Sequence, residues 1–466
     1  MKRLKAIASL ALAATMVLGL AACNSKGGST AGGEAGGETA SAGQVLNIYC
    51  WNEEFKSRIT DHYPGYSETS NNLSKNDNGD AEGTVEGKIG DVKVVWHITP
   101  SKDNAYQNAL DEALLGQADA AADDKVDLFL VEADYALKYV DADATMSVAD
   151  LGITDADTAN QYQYTKDVMT DSNGVLKGLS WQGCPGGLIY NRDAALEVLG
   201  TEDPDEVQEY VKDWDTYLET AKKFAAKGYK MQATANDSFR VFSNNVSSPW
   251  VDADKKIQID ANIEKWVEMS KEMVDAKETS TEDLWGDAWN AGFYPDGKTF
   301  CYFGPAWLID FCMAAGEEGS IANSGRWGLC VGPQSFYWGG TWICGAAGTD
   351  NAELVADIMR TMTCDEDVLK EIVQDDHDFA NNSKVMEAFA ADESFGSDIL
   401  GGQNPNAIFC AGVKTIDLSN ISSYDQGCNE KFQQAMKNYF DGNTDLDGAL
   451  EKFYADVETT YPALSH

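Results

Sequence analysis

The chain has 466 residues and a formal net charge of −41, with 76 acidic side chains against 35 basic ones. A body this acidic is repelled by nucleic-acid phosphates and by anionic lipid headgroups, which makes both poor partners. Its length is too great for one compact core and is typical of two lobes.

Lys2, Arg3 and Lys5 precede an apolar run over Ala6–Leu20 that is too short to span a bilayer comfortably. It ends in Leu20-Ala21-Ala22-Cys23, which resembles a bacterial lipobox. In that family the leader is cut before the Cys, whose thiol then carries diacylglycerol, so residues 1–22 are expected to be a lipoprotein signal peptide and Cys23 the lipid anchor. Asn24–Gln44 is nearly all Gly, Ala, Ser, Thr and Glu. Such composition buries no core, so 23–44 is predicted to be a flexible tether.

Val45–Trp51 reads as a strand and Glu53–Tyr63 as a helix stopped by Pro64-Gly65. The polar stretch Ser67–Gly90, rich in Asn, Asp and Gly, is predicted to be a long surface loop. Asp91–Ile98 is a second strand, and a helix over Asn104–Gly116 is expected to bury Ala105, Ala109, Leu110, Ala113 and Leu114. Val126–Val131 is a third strand, followed by a helix over Tyr135–Val140. Strands alternating with helices imply a parallel sheet, whose ligands bind beyond the carboxyl ends of the strands. Those ends carry Trp51-Asn52-Glu53-Glu54, His97 to Ser101, and Glu132 to Tyr135, including Asp134.

Gly178–Asp193 is a strand loosened by Gly183, Pro185, Gly186 and Gly187, the kind of joint where a few residues absorb a change of direction between lobes. Beyond it, helices are expected over Val211–Gly228, with Trp214 in the core, and over Ile263–Ala276. Asp287–Phe293 follows as a helix and Lys298–Phe303 as a strand. A turn at Gly304-Pro305-Ala306-Trp307 then leads into a helix over Leu308–Ala315. Trp327–Val331 and Gly340–Ala346 are further strands, and helices are placed at Ala352–Met362, Asp365–Gln374, Glu430–Phe440 and Asp447–Val457.

The nine cysteines after Cys23 have no compact spacing, and several sit in apolar strand contexts. They read as free thiols rather than a disulfide framework, which implies an anaerobic source for an exported protein. The four His residues, at 62, 97, 377 and 466, have no metal-site spacing. The run Asp441–Gly448 echoes a calcium loop, but Tyr454 stands where its bidentate Glu is needed, so it reads as a turn that caps the next helix. No cofactor fingerprint, P-loop or nucleophile elbow is present. Nine Trp lie outside clear amphipathic stripes: Trp51, Trp181, Trp250, Trp285, Trp289, Trp307, Trp327, Trp338 and Trp342. As a set they favour a cleft for sugars, whose C–H faces pack on aromatic rings while their hydroxyls pair with carboxylates and amides.

The order of these features resembles the maltose-binding-protein-like, extracellular solute-binding proteins of bacterial carbohydrate ABC transporters. The resemblance is carried by the lipobox, Leu46-Asn47-Ile48-Tyr49, Val126-Asp127-Leu128-Phe129, Leu188-Ile189-Tyr190-Asn191-Arg192-Asp193, Asp213-Trp214, and Gly297-Lys298-Thr299 through Gly304-Pro305-Ala306-Trp307. It implies an α/β fold of type II with two lobes joined by crossing strands, one lobe from 45–180 and 340–400 and the other from 181–339 and 401–466. It also implies closure on a sugar, delivery to ABC permease subunits, a monomer anchored at the outer face of the membrane, no metal or cofactor, and no catalysed reaction. By position, Glu53 and Glu54 match polar contacts after the first strand, Trp181 and Gln182 lie at the hinge, and Trp250 and Trp307 match aromatics of the second lobe. Tyr424 and Asp425 match a late aromatic site. The full set of expected ligand contacts adds Trp51, Asn52, Glu132, Asp134, Trp289 and Trp342. The alternatives are a surface glycoside hydrolase, which needs two carboxylates at a fixed separation, and a sensing or adhesion lipoprotein.

Overall fold

The computed structural model describes residues 43–76 and 79–466. The expected signal peptide, the tether up to residue 42 and Cys23 lie outside them. Two sheets carry the architecture. The first contains β1 (Val45–Cys50), β2 (Tyr66–Asn71), β3 (Ser74–Lys75), β4 (Ala81–Ile89), β5 (Val92–Ile98), β6 (Leu128–Glu132), β7 (Leu179–Ser180) and β13 (Thr341–Gly345), in the order β2-β4-β5-β1-β6-β13-β7 with β3 on β4. The second contains β8 (Pro185–Asn191), β9 (Lys230–Gln232), β10 (Thr299–Gly304), β11 (Trp327–Cys330) and β12 (Phe336–Tyr337), in the order β11-β8-β10-β9 with β12 on β8.

The middle of the first sheet is parallel: β1 pairs with β5 through Val45↔Lys93 to Cys50↔Ile98, and with β6 at Ile48↔Leu128. These strands are rich in apolar residues, although Asn47, Lys93 and His97 interrupt the run. Leu46, Ile48, Val94, Trp96, Leu128 and Leu130 are all buried. β13 then adds antiparallel to β6, and β7 antiparallel to β13. The chain leaves this sheet after Ser180, enters the second at Pro185, and returns between Tyr337 and Thr341. Both passages use unusual backbone. Cys184 takes a left-handed φ of 52°, and Gly340 one of 101°. A side chain at Gly186 would run into the Phe336 ring, 2.1 Å from the position of its Cβ, which is why the predicted joint needs Gly there.

Ser67–Gly90 is not a loop. Tyr66–Asn71 and Ala81–Ile89 form an antiparallel extension of the sheet, paired through β4 to β5 from Gly83↔Ile98 to Ile89↔Val92. β2 is an edge strand exposed on most positions, and β4 buries only Val85 and Gly87, so neither shows the apolar alternation that marks a half-buried strand. The stabilising device is local: the Tyr66 ring lies over Gly87, 2.6 Å from where a Cβ would stand, and its hydroxyl accepts from Trp96 Nε1 at 3.0 Å.

Other differences are smaller. The helix Ala105–Gly116 buries Tyr106, Gln107 and Leu110 rather than the alanine face, because the Tyr106 hydroxyl reaches the Tyr49 and Leu130 carbonyls at 3.0 and 2.6 Å. The helix expected over Val211–Gly228 is Trp214–Ala225, starting where the Asp213 side chain accepts from Thr216 N at 2.7 Å, while Val211 ends a separate helix, Pro204–Val211. Trp214 is only partly buried, stacked on Phe242 with ring centroids 4.3 Å apart. Leu308–Cys312 is a wide π-type turn rather than the start of an α-helix. The Asp441–Gly448 run is a helix cap, with Asp445 accepting from Gly448 N at 2.9 Å. Among the described residues nine cysteines are unpaired, no group of side chains could hold a metal ion, and no helix is long and apolar enough to cross a membrane.

Candidate functional site

The loops that follow the carboxyl ends of β1, β5 and β6 converge on one side of the first sheet, and loops of the second sheet face them. Between the two lies a cavity of about 510 Å³. From the first sheet come Trp51, Asn52 and Glu54 after β1, Ser101, Asn104 and Gln107 after β5, and Glu132, Asp134 and Tyr135 at the end of β6. Opposite them stand Asn236, Phe239 and Arg240 after β9, Trp285, Trp307 and Phe311 around β10, and Gln426, Glu430 and Gln433 on the helix Asp425–Phe440. Gln182 and the segment Trp338–Thr341, from the two passages between sheets, form the floor.

Each wall is positioned by a distinct device. Glu54 opens the helix Glu54–His62 and accepts from Gln182 Nε2 at 2.6 Å. Behind it, Arg58 binds Asp378 through Nε and Nη2 at 3.1 and 3.0 Å and Asp376 through Nη1 at 2.8 Å. The Trp181 indole donates to the same Asp378 at 3.2 Å. Across the cavity, both guanidinium arms of Arg240 grip the two carboxylate oxygens of Asp134, tying the first sheet to the helix Phe239–Ser243. His377 and Asp310 make a second link between these parts, at 3.0 Å.

The aromatic wall is built around Trp307. Its ring stacks on Trp285 at 6.2 Å and meets Trp338 edge-on at 5.1 Å, while its Nε1 donates to the Trp338 carbonyl at 3.3 Å. Trp285 is 49% exposed and takes a φ of 68°. A bulky side chain in the left-handed region is a true outlier, and such strain concentrates at ligand clamps.

Burial pushes the Glu54 carboxyl up to about 7, helped by the charge of Asp378, and Glu132 up to about 8, helped by Asp134. Burial works against the Arg240 charge, but Asp134 and Glu132 beside it outweigh that and hold it in place. The two glutamates bind protons in the folded protein at pH values where they have lost them in the unfolded chain, whose reference value is 4.5. The folded state therefore loses this stabilisation as pH rises from about 4.5 through 7 and 8. The expected result is that the unfolding midpoint of the empty protein falls between pH 5 and pH 8.5, and falls less in the Glu54→Gln/Glu132→Gln double variant. Equal slopes in calorimetric scans of the two proteins would show that these carboxyls are not raised.

Trp51, Asn52, Glu54, Glu132, Asp134, Gln182 and Trp307, all expected from the sequence, are brought together at the cavity. The others lie elsewhere. Glu53 pairs loosely with Lys56 at 3.7 Å on the outer side of its helix. Trp181 is wholly buried against Phe55, and Trp342 is buried with its indole on the Thr165 carbonyl at 2.9 Å. Trp289 is buried on Asp237 at 2.6 Å and supports Trp285 from behind. Trp250 donates to Asn429 at 2.9 Å among Phe432 and Phe453, Tyr424 meets Tyr461 edge-on, and Asp425, pushed up to about 6 by burial, accepts from Ser422. For these tryptophans a buried indole N–H with a fixed acceptor marks a core position. Arg240, Phe239, Asn236, Phe311 and Glu430 carried no signal in sequence, because they come from short turns and a helix face without periodic pattern.

Two sheets joined by crossing segments around a central cleft define the two-lobed periplasmic-binding architecture of type II. The family described as bacterial extracellular solute-binding protein matches residues 87–396, and the chain belongs to it. No curated protein sequence matches the chain. Similar solved structures include one described as an extracellular solute-binding protein family 1, at a TM-score of 0.70 and 16% identity over 89% of this chain and 99% of that one. An ABC transporter associated binding protein from B. animalis subsp. lactis Bl-04, in complex with beta-1,6-galactobiose, is similar at 0.65 and 17% over 91% and 100%. The GacH receptor of Streptomyces glaucescens, described unliganded and with acarbose, is similar at 0.63 and 14% over 90% and 98%. At these identities the likeness is one of fold.

Proposed function

We propose that the protein captures a carbohydrate, an oligosaccharide by the size of the cleft, and delivers it to an ABC importer from a lipid anchor at Cys23 on the outer face of the membrane. The observation that carries this reading is the cleft wall itself. Trp51, Trp285, Trp307 and Trp338 offer ring faces, and Asn52, Asn104, Gln107, Asn236, Gln426 and Gln433 offer amides beside them. Sugar rings need both, apolar faces for their C–H surfaces and paired donors and acceptors for their hydroxyls. The sugar-bound relatives of the same fold support the reading.

Delivery follows from closure. A ligand held by residues of both walls stabilises the closed arrangement by contacts that the open one lacks, and the passages at Ser180–Pro185 and Tyr337–Thr341 are where the movement is absorbed. No step of bond cleavage is assigned to the cleft. Equilibrium dialysis of the protein against a mixed oligosaccharide pool is expected to retain one sugar class and return it intact on denaturation. Shortened products would replace this reading with a glycoside hydrolase.

A further inference from the structure

The cavity lining carries four carboxylates, Glu54, Glu132, Asp134 and Glu430, against one guanidinium, Arg240. Asp134 already takes both arms of that guanidinium. The nearest other arginine, Arg58, is committed to Asp376 and Asp378 behind the wall. Glu54, Glu132 and Glu430 therefore face the cavity with only neutral hydrogen-bond donors: Gln182 on Glu54, the Asp134 backbone on Glu132, and Gln426 on Glu430. Tyr135 also stands at the cavity wall, 6% exposed, with the Ser101 hydroxyl of the same wall beside its own.

We propose, building on the carbohydrate reading above, that the ligand is a cationic sugar bearing free amino groups, with Glu54 and Glu132 receiving its ammonium. An amine on a sugar ring lies at the ring edge, while the ring faces stay apolar. The cleft offers both, with Glu54, Glu132 and Asp134 beside Trp51 at the strand ends of the first sheet and Trp285, Trp307 and Phe311 beside Glu430 opposite. An ammonium desolvated between carboxylate and indole gains from both. Burial leaves Glu54 and Glu132 poised near neutral pH, so an arriving cation turns them into full charges rather than having to compete with an existing ion pair. A linear polyamine fits the acids but offers nothing to the amides of Asn52, Asn104, Gln107 and Asn236, whose bonds within the wall are Glu54 N to Asn52 Oδ1 at 3.1 Å and Gln107 Nε2 to Asn104 Oδ1 at 3.3 Å. Sugar hydroxyls satisfy them.

The test is titration calorimetry of the full-length protein with glucosamine and its β-1,4-linked di- and trisaccharide, their N-acetylated counterparts, the matching glucose oligosaccharides, and spermidine. The proposal expects the free-amine sugars to bind at least ~10-fold tighter than either neutral series, and that ratio to shrink to about 2-fold or less in Glu54→Gln/Glu132→Gln. It also expects the preference to weaken as salt rises, as a charge contact must. Neutral sugars binding as tightly as the amines would overturn the cationic ligand while leaving the carbohydrate reading intact. Spermidine binding alone, or no sugar binding at all, would overturn both.

Discussion

Trp307→Ala is expected to lower affinity for the bound sugar by roughly ten- to a hundredfold, the equivalent of the ~1.5–3 kcal/mol that burying a large apolar side chain is worth. Trp307 is the member of the aromatic wall that touches two others, Trp285 and Trp338, and its indole N–H is held by the Trp338 carbonyl. Its loss therefore removes one ring face and loosens the two beside it. Gly339, whose φ of 75° admits few other residues, lies behind the ring, where a Cβ would stand only 3.2 Å from it. The surface it presents is thus fixed before ligand arrives, and a preorganised face loses little on binding. Calorimetric titration of wild type and variant checks this, with Trp250→Ala as a comparison. That indole lies among Phe432 and Phe453 rather than at the cavity, so its removal should lower the unfolding midpoint more than the affinity. The reverse pattern would move the sugar away from Trp307.

Arg240→Ala is the second large effect. The guanidinium is the sole cation of the cavity wall among the described residues, and it joins the two walls. Both partners are partly solvated, at 23% and 32% side-chain exposure, so the loss is smaller than for a fully buried pair. Hydrogen bonds between charged groups suggest about 1.5–3 kcal/mol. The variant leaves Asp134 beside Glu132 with no opposing charge. The empty protein is therefore expected to populate a more open form, with a larger radius of gyration in solution scattering and a lower unfolding midpoint. Adding Asp134→Asn should recover part of the midpoint but not the radius, because it removes the repulsion without restoring the link. An unchanged radius in Arg240→Ala would show that the ion pair does not hold the walls together.

How much of this was legible in the sequence depended on whether a residue's chemistry and its periodicity pointed the same way. The parallel strands Val45–Cys50, Val92–Ile98 and Leu128–Glu132 are rich in apolar and β-branched residues, and their ends gave Trp51, Asn52, Glu54, Glu132 and Asp134 directly. The joint at Gly183–Gly187 was legible because Pro and Gly together are incompatible with a central strand. Ala81–Ile89 was missed since its buried face is marked only by Val85 and a glycine, Gly87, among polar residues, which leaves no apolar period to read. The tryptophans were legible as a set but not one by one. Trp307 and Trp342 sit in similar Gly-rich contexts, yet one lines the cavity and the other donates to Thr165 in the core. Arg240 was invisible because what makes it matter is Asp134, 106 residues earlier in the chain.

The most direct measurement is the thermal unfolding midpoint of the full-length protein against a panel of neutral, amino and acidic oligosaccharides, with peptides and polyamines alongside. A ligand at 100 times its Kd adds about 2.7 kcal/mol to folding stability, which is a readable rise. A rise with one class of carbohydrate, absent with the peptides and polyamines, is the result expected of a cleft built from Trp51, Trp285, Trp307 and the amides between them. A rise with peptides or polyamines, and none with any sugar, would contradict it.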